Sequence, residues 1–475
     1  MQSHRFSISW FSLTLLLVSS ILSISSWHIA AQFGFSAVSY LIAATLLFMV
    51  PVAFVSAELA SSYHHYGGLY QWIEDAFGMK SGMLCAWLLW VSNIVWYPTV
   101  FTFISTSFLY YFYPDFASNR LMTFAVMNLL FWSGNLLNII GYKFSSKLLS
   151  LSVLFSMIIP AALLVVFCAM TFHSGLQTEV LLPETISQLL PTGQKGLVLF
   201  TGLLLGFTGM EMAMVHYEKV RDPAKNFPKA IGAASLFLIL VSIMGSLGIS
   251  RIVPENELNL ITDSFLAIHH YLKIFHASPL MPVVNLMIAI GTWMAMSAYL
   301  AEPSKAFLQA VKSSGLSRQL EKSNSYSIPI TIMLLQGGIV TLISCVFALF
   351  KNPSDFYWML TDLASQLYLV IYTVMFLAVI KLKVVRKVYP ITIIPFRSIG
   401  VCVLAILGIG LCLFSFLMGC LPAAESSIDF PIVYSLSTVS FIFIMTVTPL
   451  IGLKIKRMRK KYLDRQLEKI ISPDA

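Results

Sequence analysis

The sequence predicts an all-helical protein that crosses a membrane about a dozen times, and three observations carry that reading. The 475 residues are 58% hydrophobic and 11% charged, with a mean hydropathy of +0.82, whereas soluble domains carry about 25% charged residues. The apolar residues gather into runs of roughly 20 or more, the length that spans a bilayer as a helix. The basic residues lie between those runs, so the net charge of +9 encodes membrane topology and excludes a nucleic-acid-binding reading.

In chain order the runs are about 8–31, 36–60, 81–112, 121–140, 148–172, 195–217, 230–250, 277–301, 328–350, 357–380, 398–421 and 430–453. If the N-terminus is inside the cell, 25 Lys and Arg fall on the inner side and five on the outer, Arg120, Lys195, Arg251, Lys273 and Lys351. The inner set includes Lys219, Arg221, Lys225 and Lys229 after run six, and Lys381, Lys383, Arg386 and Lys387 after run ten. That asymmetry places both termini in the cytoplasm. The first run also fits a cleavable signal peptide, with His4 and Arg5 ahead of an apolar stretch and Ala30-Ala31 behind it. Retention as a span is favoured because a broken first helix matching the sixth is what an inverted repeat requires. The cysteines, Cys85, Cys168, Cys345, Cys402, Cys412 and Cys420, all lie in apolar runs without metal-ligand spacing. They read as core residues, and no cofactor is expected.

Run six is the informative one. It carries Gly202, Gly206 and Gly209 and then Glu211 at mid-membrane. Glycine weakens a helix, and a buried acid in lipid needs a partner or water, so the pattern predicts an interrupted helix opening its backbone to a cavity. Close packing of small residues against another helix is the competing reading. Run one is rich in serine, at Ser19, Ser20, Ser23, Ser25 and Ser26, and hydroxyls that bond backbone carbonyls help a helix bend.

Run two ends near Glu58, and Gly67-Gly68 allow a turn before the amphipathic stretch Leu69–Phe77, read as an interfacial loop with Trp72 as aromatic anchor in preference to a direct ligand role. His64 and His65 read as surface residues. Run three sets Asn93 and Trp96 on one helical face with Tyr97 beside them. An aromatic one turn from a mid-membrane amide suits the wall of a ligand cavity and equally suits helix packing. Run eight offers Trp293 and Met296, followed by an amphipathic basic stretch with Lys305, Lys312, Arg318 and Lys322. In run ten, Asp362 and Ser365 are three apart. Asp362 lies about 8 Å from the outer start of its run at 1.5 Å per residue, which allows either a functional carboxylate or a shallow, hydrated one. No arginine or lysine is expected deep in the bundle to neutralise an acid.

The chain resembles bacterial amino-acid permeases of the amino acid–polyamine–organocation (APC) superfamily, and within it the glutamate/GABA antiporter family. The residues that carry the resemblance are Ala57-Glu58-Leu59-Ala60 with Gly67-Gly68-Leu69-Tyr70-Gln71-Trp72, then Phe207-Thr208-Gly209-Met210-Glu211. Asp222-Pro223 leading to Phe227-Pro228-Lys229-Ala230 and Pro303-Ser304-Lys305 complete the order. The resemblance implies a LeuT-type fold in one integral-membrane domain. Repeat one would be about 8–172, repeat two about 195–380, two extra helices about 398–453, and a basic tail 454–475 would contact lipid. It implies unwound first and sixth spans around a substrate, with first-span candidates Ser19, Leu22, Ser23 and Ser25 and sixth-span candidates Leu205, Gly206, Phe207, Thr208 and Gly209. Asn93, Trp96, Tyr97, Trp293, Met296, Asp362 and Ser365 would approach from spans three, eight and ten. Glu211 becomes the candidate for proton sensing or for supporting the helix break.

Two departures from the family pattern stand out. Residues 8–33 contain no glycine where superfamily members commonly have a Gly-Ser-Gly opening, and Asp362 occupies a position expected to be neutral. Because no arginine or lysine is expected deep in the bundle, glutamate is not carried over as substrate. The expected function is exchange of an amino acid or amine across the bacterial inner membrane by alternating access, with protons as a candidate co-substrate and a monomer or homodimer as the assembly. The rivals are a proton-coupled symporter or uniporter for a cationic amino acid or amine with Asp362 as counter-charge, a non-transporting sensor, and a lipid-modifying enzyme. The last lacks a cluster of His, Asp and Glu at one membrane face.

Overall fold

The computed structural model describes residues 8–21, 27–61, 68–112, 119–142, 146–174, 193–253, 263–349, 353–386, 393–422 and 431–471. Among these the chain is helical almost throughout, and its one β-bridge joins Ile8 to Val220. Ten helical stretches are long and apolar enough to cross a membrane, and two shorter apolar helices stand where the first and ninth spans were expected.

The helices are α1 (Trp10–Ile21), α2 (Trp27–Ala31), α3 (Gly34–Ala60), α4 (Leu69–Phe77), α5 (Met79–Phe112), α6 (Arg120–Ile139) and α7 (146–174). The second half holds α8 (Gly193–Leu205), a 3₁₀ helix (Met210–Lys219), α9 (Pro223–Ser250), α10 (Asp263–Ile274), α11 (Met281–Tyr299) and α12 (Ala301–Ser314). It closes with α13 (Ile330–Leu349), α14 (Pro353–Val379), α15 (Arg397–Gly419) and α16 (Pro431–Ile471). Wider π turns interrupt the regular winding at Thr45–Met49 in α3, Leu154–Ile158 in α7 and Ile380–Val385, where α14 runs on past its last α-helical residue.

Helix α5, 34 residues long, is the axis of the bundle, with α4, α6, α11, α12, α14 and α16 packed along it. At 1.5 Å per residue it reaches about 50 Å, more than a hydrocarbon core of roughly 30 Å requires. Its first half carries contacts to helices of the second half of the chain. Trp90 stacks on Phe307 of α12 with ring centres 5.0 Å apart, and Trp87 donates its indole N–H to the Met445 carbonyl of α16 at 2.8 Å. Helix α12 is the amphipathic stretch expected after span eight. It buries Phe307, Leu308 and Val311 on one face, and its exposed face holds the Lys305–Glu302 pair at 2.8 Å. Helix α16 has 41 residues, and its basic end, beginning near Lys454, continues past the apolar stretch Ile432–Lys456.

One expectation is corrected. Lys383 is wholly buried and pairs with Glu58, likewise wholly buried, at 2.8 Å. The second Glu58 oxygen accepts the backbone N–H groups of Ile393 at 2.7 Å and Ile394 at 3.0 Å. A lysine is thus available inside the bundle to neutralise an acid. The π turn at Ile380–Val385 brings Lys383 to the end of α3, while Lys381, two residues earlier, lies over the Phe77 ring at 4.7 Å.

Candidate functional site at the interrupted sixth span

Helix α8 stops at Leu205, residues 206–209 are not helical, and the chain resumes as the 3₁₀ helix at Met210. The end of α8 tightens first. Gly206, Phe207 and Thr208 donate their N–H groups to the carbonyls three residues back, at 3.1, 2.9 and 3.2 Å, and the Thr208 hydroxyl also donates to the Leu205 carbonyl at 2.8 Å. Gly209 then adopts φ +107°, a conformation that residues with a Cβ rarely enter. A Cβ there would also lie 3.0 Å from the Ser20 carbonyl oxygen, so the end of α1 abuts the break directly. Leu205, Gly206, Thr208 and Gly209 keep accessible surface, while Leu203, Leu204 and Met210 beside them are buried. The non-helical backbone is thus partly accessible, and within a membrane such backbone persists where it is buried in protein or lines a water-filled cavity.

The 3₁₀ helix runs for ten residues, where three or four is usual. Its second residue, Glu211, is buried and accepts the Tyr372 hydroxyl proton at 2.8 Å. The same hydroxyl oxygen accepts the Gly209 N–H at 3.2 Å. One tyrosine of α14 therefore ties the left-handed glycine to the acid two residues later. Tyr372 stacks with Tyr368, ring centres 6.1 Å apart, and the Tyr368 hydroxyl accepts from Asn93 Nδ2 at 3.2 Å. Tyr299 of α11 lies within hydrogen-bonding reach of Tyr368 and is crossed edge-on by Trp96 at 6.4 Å. Asn93 Oδ1 and the Tyr97 hydroxyl are buried without a partner. These groups make a polar, aromatic wall from α5 to α14 with two unsatisfied positions beside the break.

The sequence candidates divide accordingly. Gly209, Glu211, Asn93 and Trp96 come together around Tyr368 and Tyr372, and Tyr97 borders them. Ser19 and Ser20 close the last turn of α1 by donating their hydroxyl protons to the carbonyls of Leu16 at 2.9 Å and Leu17 at 2.8 Å. Leu22, Ser23 and Ser25 lie outside the described residues. Trp293 turns toward α6, donating to the Leu130 carbonyl at 3.0 Å, and Met296 is buried on the same helix. Ser365 bonds the Thr361 carbonyl within its own helix at 2.7 Å. Asp362 accepts from Tyr434 of α16 at 2.9 Å and is 0% exposed, which removes the reading of a shallow, hydrated carboxylate.

Sequence reasoning missed Tyr299, Tyr368 and Tyr372. The available signal was spacing, since Tyr368 and Tyr372 are four apart and share a helical face. Among the described residues no group of three or more His, Cys, Asp or Glu is placed to hold a metal ion.

Two contacts bracket the site. On α2, His28 is buried and lies 3.3 Å from the Tyr357 hydroxyl of α14. At the basic end, Ile8 exchanges backbone hydrogen bonds with Lys219 and Arg221, each at 3.2 Å, which closes the start of α1 against the segment after the 3₁₀ helix.

Comparison with known proteins identifies the family. The family model described as amino acid permease matches residues 8–447. An uncharacterized transporter of Legionella pneumophila is 32% identical over 418 residues, covering 87% of this chain and 89% of that protein. The glutamate/gamma-aminobutyrate antiporter of Lactococcus lactis is 24% identical over 429 residues, covering 88% and 84%. A probable agmatine/putrescine antiporter of the same species is 22% identical over 411 residues, covering 84% of each.

Proposed function

The chain belongs to the amino acid permease family of the APC superfamily, and from that premise we propose that it exchanges an amino acid or amine across the bacterial inner membrane by alternating access. Both termini face the cytoplasm in this reading, as the distribution of Lys and Arg favours. The observation that carries the proposal is the interrupted sixth span, with Gly209 at φ +107° against the Ser20 carbonyl. Carbonyls released where α8 ends suit an ammonium group, and N–H groups at the start of the 3₁₀ helix suit a carboxylate. A substrate bearing both groups, an α-amino acid, fits that pair of ends. Relatives named as antiporters for glutamate with gamma-aminobutyrate and for agmatine with putrescine support exchange as the mode.

Among the described residues the wall of Asn93, Tyr299, Tyr368 and Trp96 carries no charge, and Glu211 is engaged by Tyr372. The reading therefore favours a substrate whose side chain is neutral. A thermal-stability screen of the purified protein against amino acids and their decarboxylated amines tests it. A subset of neutral amino acids is expected to raise the melting temperature, and Gly209→Val, which places a Cβ branch against Ser20, is expected to lose that shift while remaining folded. Stabilisation only by diamines, or an undiminished shift in Gly209→Val, would contradict the assignment.

A further inference from the structure

Asp362 sits where four helices meet, away from the broken span. Its Oδ2 accepts from the Tyr434 hydroxyl of α16 at 2.9 Å, and its Oδ1 has no partner. Gln366, one turn on, donates to the Phe416 carbonyl of α15 at 3.2 Å and leaves its own oxygen unpartnered. Thr201 of α8 donates to the Ser415 carbonyl at 2.9 Å. Gly419 makes the meeting possible, since a Cβ there would collide with Gln366 Nε2 and lie 2.7 Å from Asp362 Oδ1.

The titratable groups facing Asp362 are Tyr434 from α16 and Cys420 at the end of α15, and α8 contributes Thr201. All three are neutral at physiological pH. Among the described residues no cation pairs with Asp362, in contrast to Glu58, which has Lys383. A fully buried carboxylate without a counter-charge is costly enough that it neutralises by taking up a cation. A metal ion would need several oxygens arranged around it, whereas a proton needs one carboxyl oxygen. Oδ1 accepts no hydrogen bond within normal distance, with the Gln366 amide beside the carboxyl, and can carry that proton.

We propose that Asp362 is a proton-binding site that couples transport to protons from outside the substrate region. The connection to the break is mechanical. Helix α14 carries both Asp362 and Tyr372, the residue that holds Gly209 and Glu211. Helix α8 carries Thr201 and ends at the break, and its Gly202 packs against Trp358 of α14 so closely that a Cβ would lie 2.7 Å from the indole. A rearrangement of α8 during alternating access therefore changes the packing around Asp362. The proton is taken from water on one side when that seam loosens, and the same proton is given up from Oδ1 to water on the other side.

Infrared difference spectroscopy of the purified protein in lipid tests the site without requiring transport, so its outcome is separable from that of the exchange assay. The wild type at neutral pH is expected to show the carbonyl stretch of a neutral buried carboxyl, equally in potassium and sodium buffers. That band is expected to be lost in Asp362→Asn and shifted in Tyr434→Phe, which keeps the carboxyl but removes its donor. The Tyr434→Phe shift makes the assignment even if Asp362→Asn fails to fold. In liposomes, building on the exchange reading, flux of a labelled neutral amino acid in the wild type is expected to respond to an imposed pH gradient, and in Asp362→Asn that response is lost. Three results would overturn the proposal: ionised carboxylate bands only, a neutral band that disappears in sodium, or a band unmoved by Tyr434→Phe.

Discussion

Replacing Lys383 by methionine is expected to destabilise the protein severely. The change leaves Glu58 wholly buried without its cation while it still accepts from Ile393 and Ile394. Removing one partner of a buried ion pair costs about 3–5 kcal/mol, because the remaining charge has no water to return to. That loss is a large fraction of the roughly 5–15 kcal/mol that holds a typical domain folded. Lys381→Met is the matched control, since Lys381 only covers the Phe77 ring and such a contact is worth about 0.5–1 kcal/mol at an exposed site. Size-exclusion profiles and melting temperatures in detergent are expected to show Lys383→Met far below Lys381→Met. The double variant Glu58→Gln with Lys383→Met should recover much of the loss, because the glutamine oxygen can still accept the two backbone N–H groups. Equal stability of the two single lysine variants would contradict a structural role for the pair.

Tyr372→Phe carries the second large effect, on activity. The hydroxyl serves Glu211 as donor and Gly209 as acceptor, so its removal strips a buried carboxylate of a hydrogen bond and a left-handed residue of its anchor. Leaving a buried acceptor such as the Glu211 carboxyl without its donor costs about 1–3 kcal/mol. If the bonded break is the transporting geometry, exchange is expected to fall by roughly tenfold to a hundredfold, since each 1.4 kcal/mol is a factor of ten. The measurement is flux per folded molecule at several substrate concentrations. A purely supporting role would lower the yield of folded protein and leave flux per molecule unchanged.

The break is legible in the sequence because its causes are local. Gly206, Gly209 and Glu211 act within one run, and their cost in lipid can be reckoned without knowing any neighbour. The amphipathic character of α4 and α12 is legible for the same reason, since a single face carries the apolar residues, although Leu69–Phe77 reads from sequence as an interfacial loop and folds as a helix. Cross-helix partners are not. Asn93 is visible as an amide needing a partner, yet nothing along α5 indicates that Tyr368 supplies it. Lys383 groups with the loop charges because its position in the chain follows an apolar run. Only the π turn at Ile380–Val385 and the course of residues 393–394 reveal that it faces Glu58. The depth of Asp362 is hidden for a related reason, because distance along its own helix says nothing of α15 and α16, which cover it.

Contacts between distant segments also control the proposed transport cycle. The start of α1 is clasped to residues 219–221, its end abuts Gly209, and Tyr372 holds the far side of the break. A substrate between the end of α1 and residues 206–209 can reach either face only if those contacts are exchanged for others. This is what the proposed alternating access requires of this bundle. It also predicts obligatory exchange wherever the empty bundle rearranges slowly.

Counterflow is the most direct test. Liposomes containing the purified protein and a high internal concentration of one unlabelled neutral amino acid are placed in a trace of the same labelled compound. Exchange by alternating access predicts transient accumulation of label above its external level, dependent on internal substrate and lost in Gly209→Val. Absence of counterflow with every amino acid and amine tried, in protein shown to be folded, would contradict it.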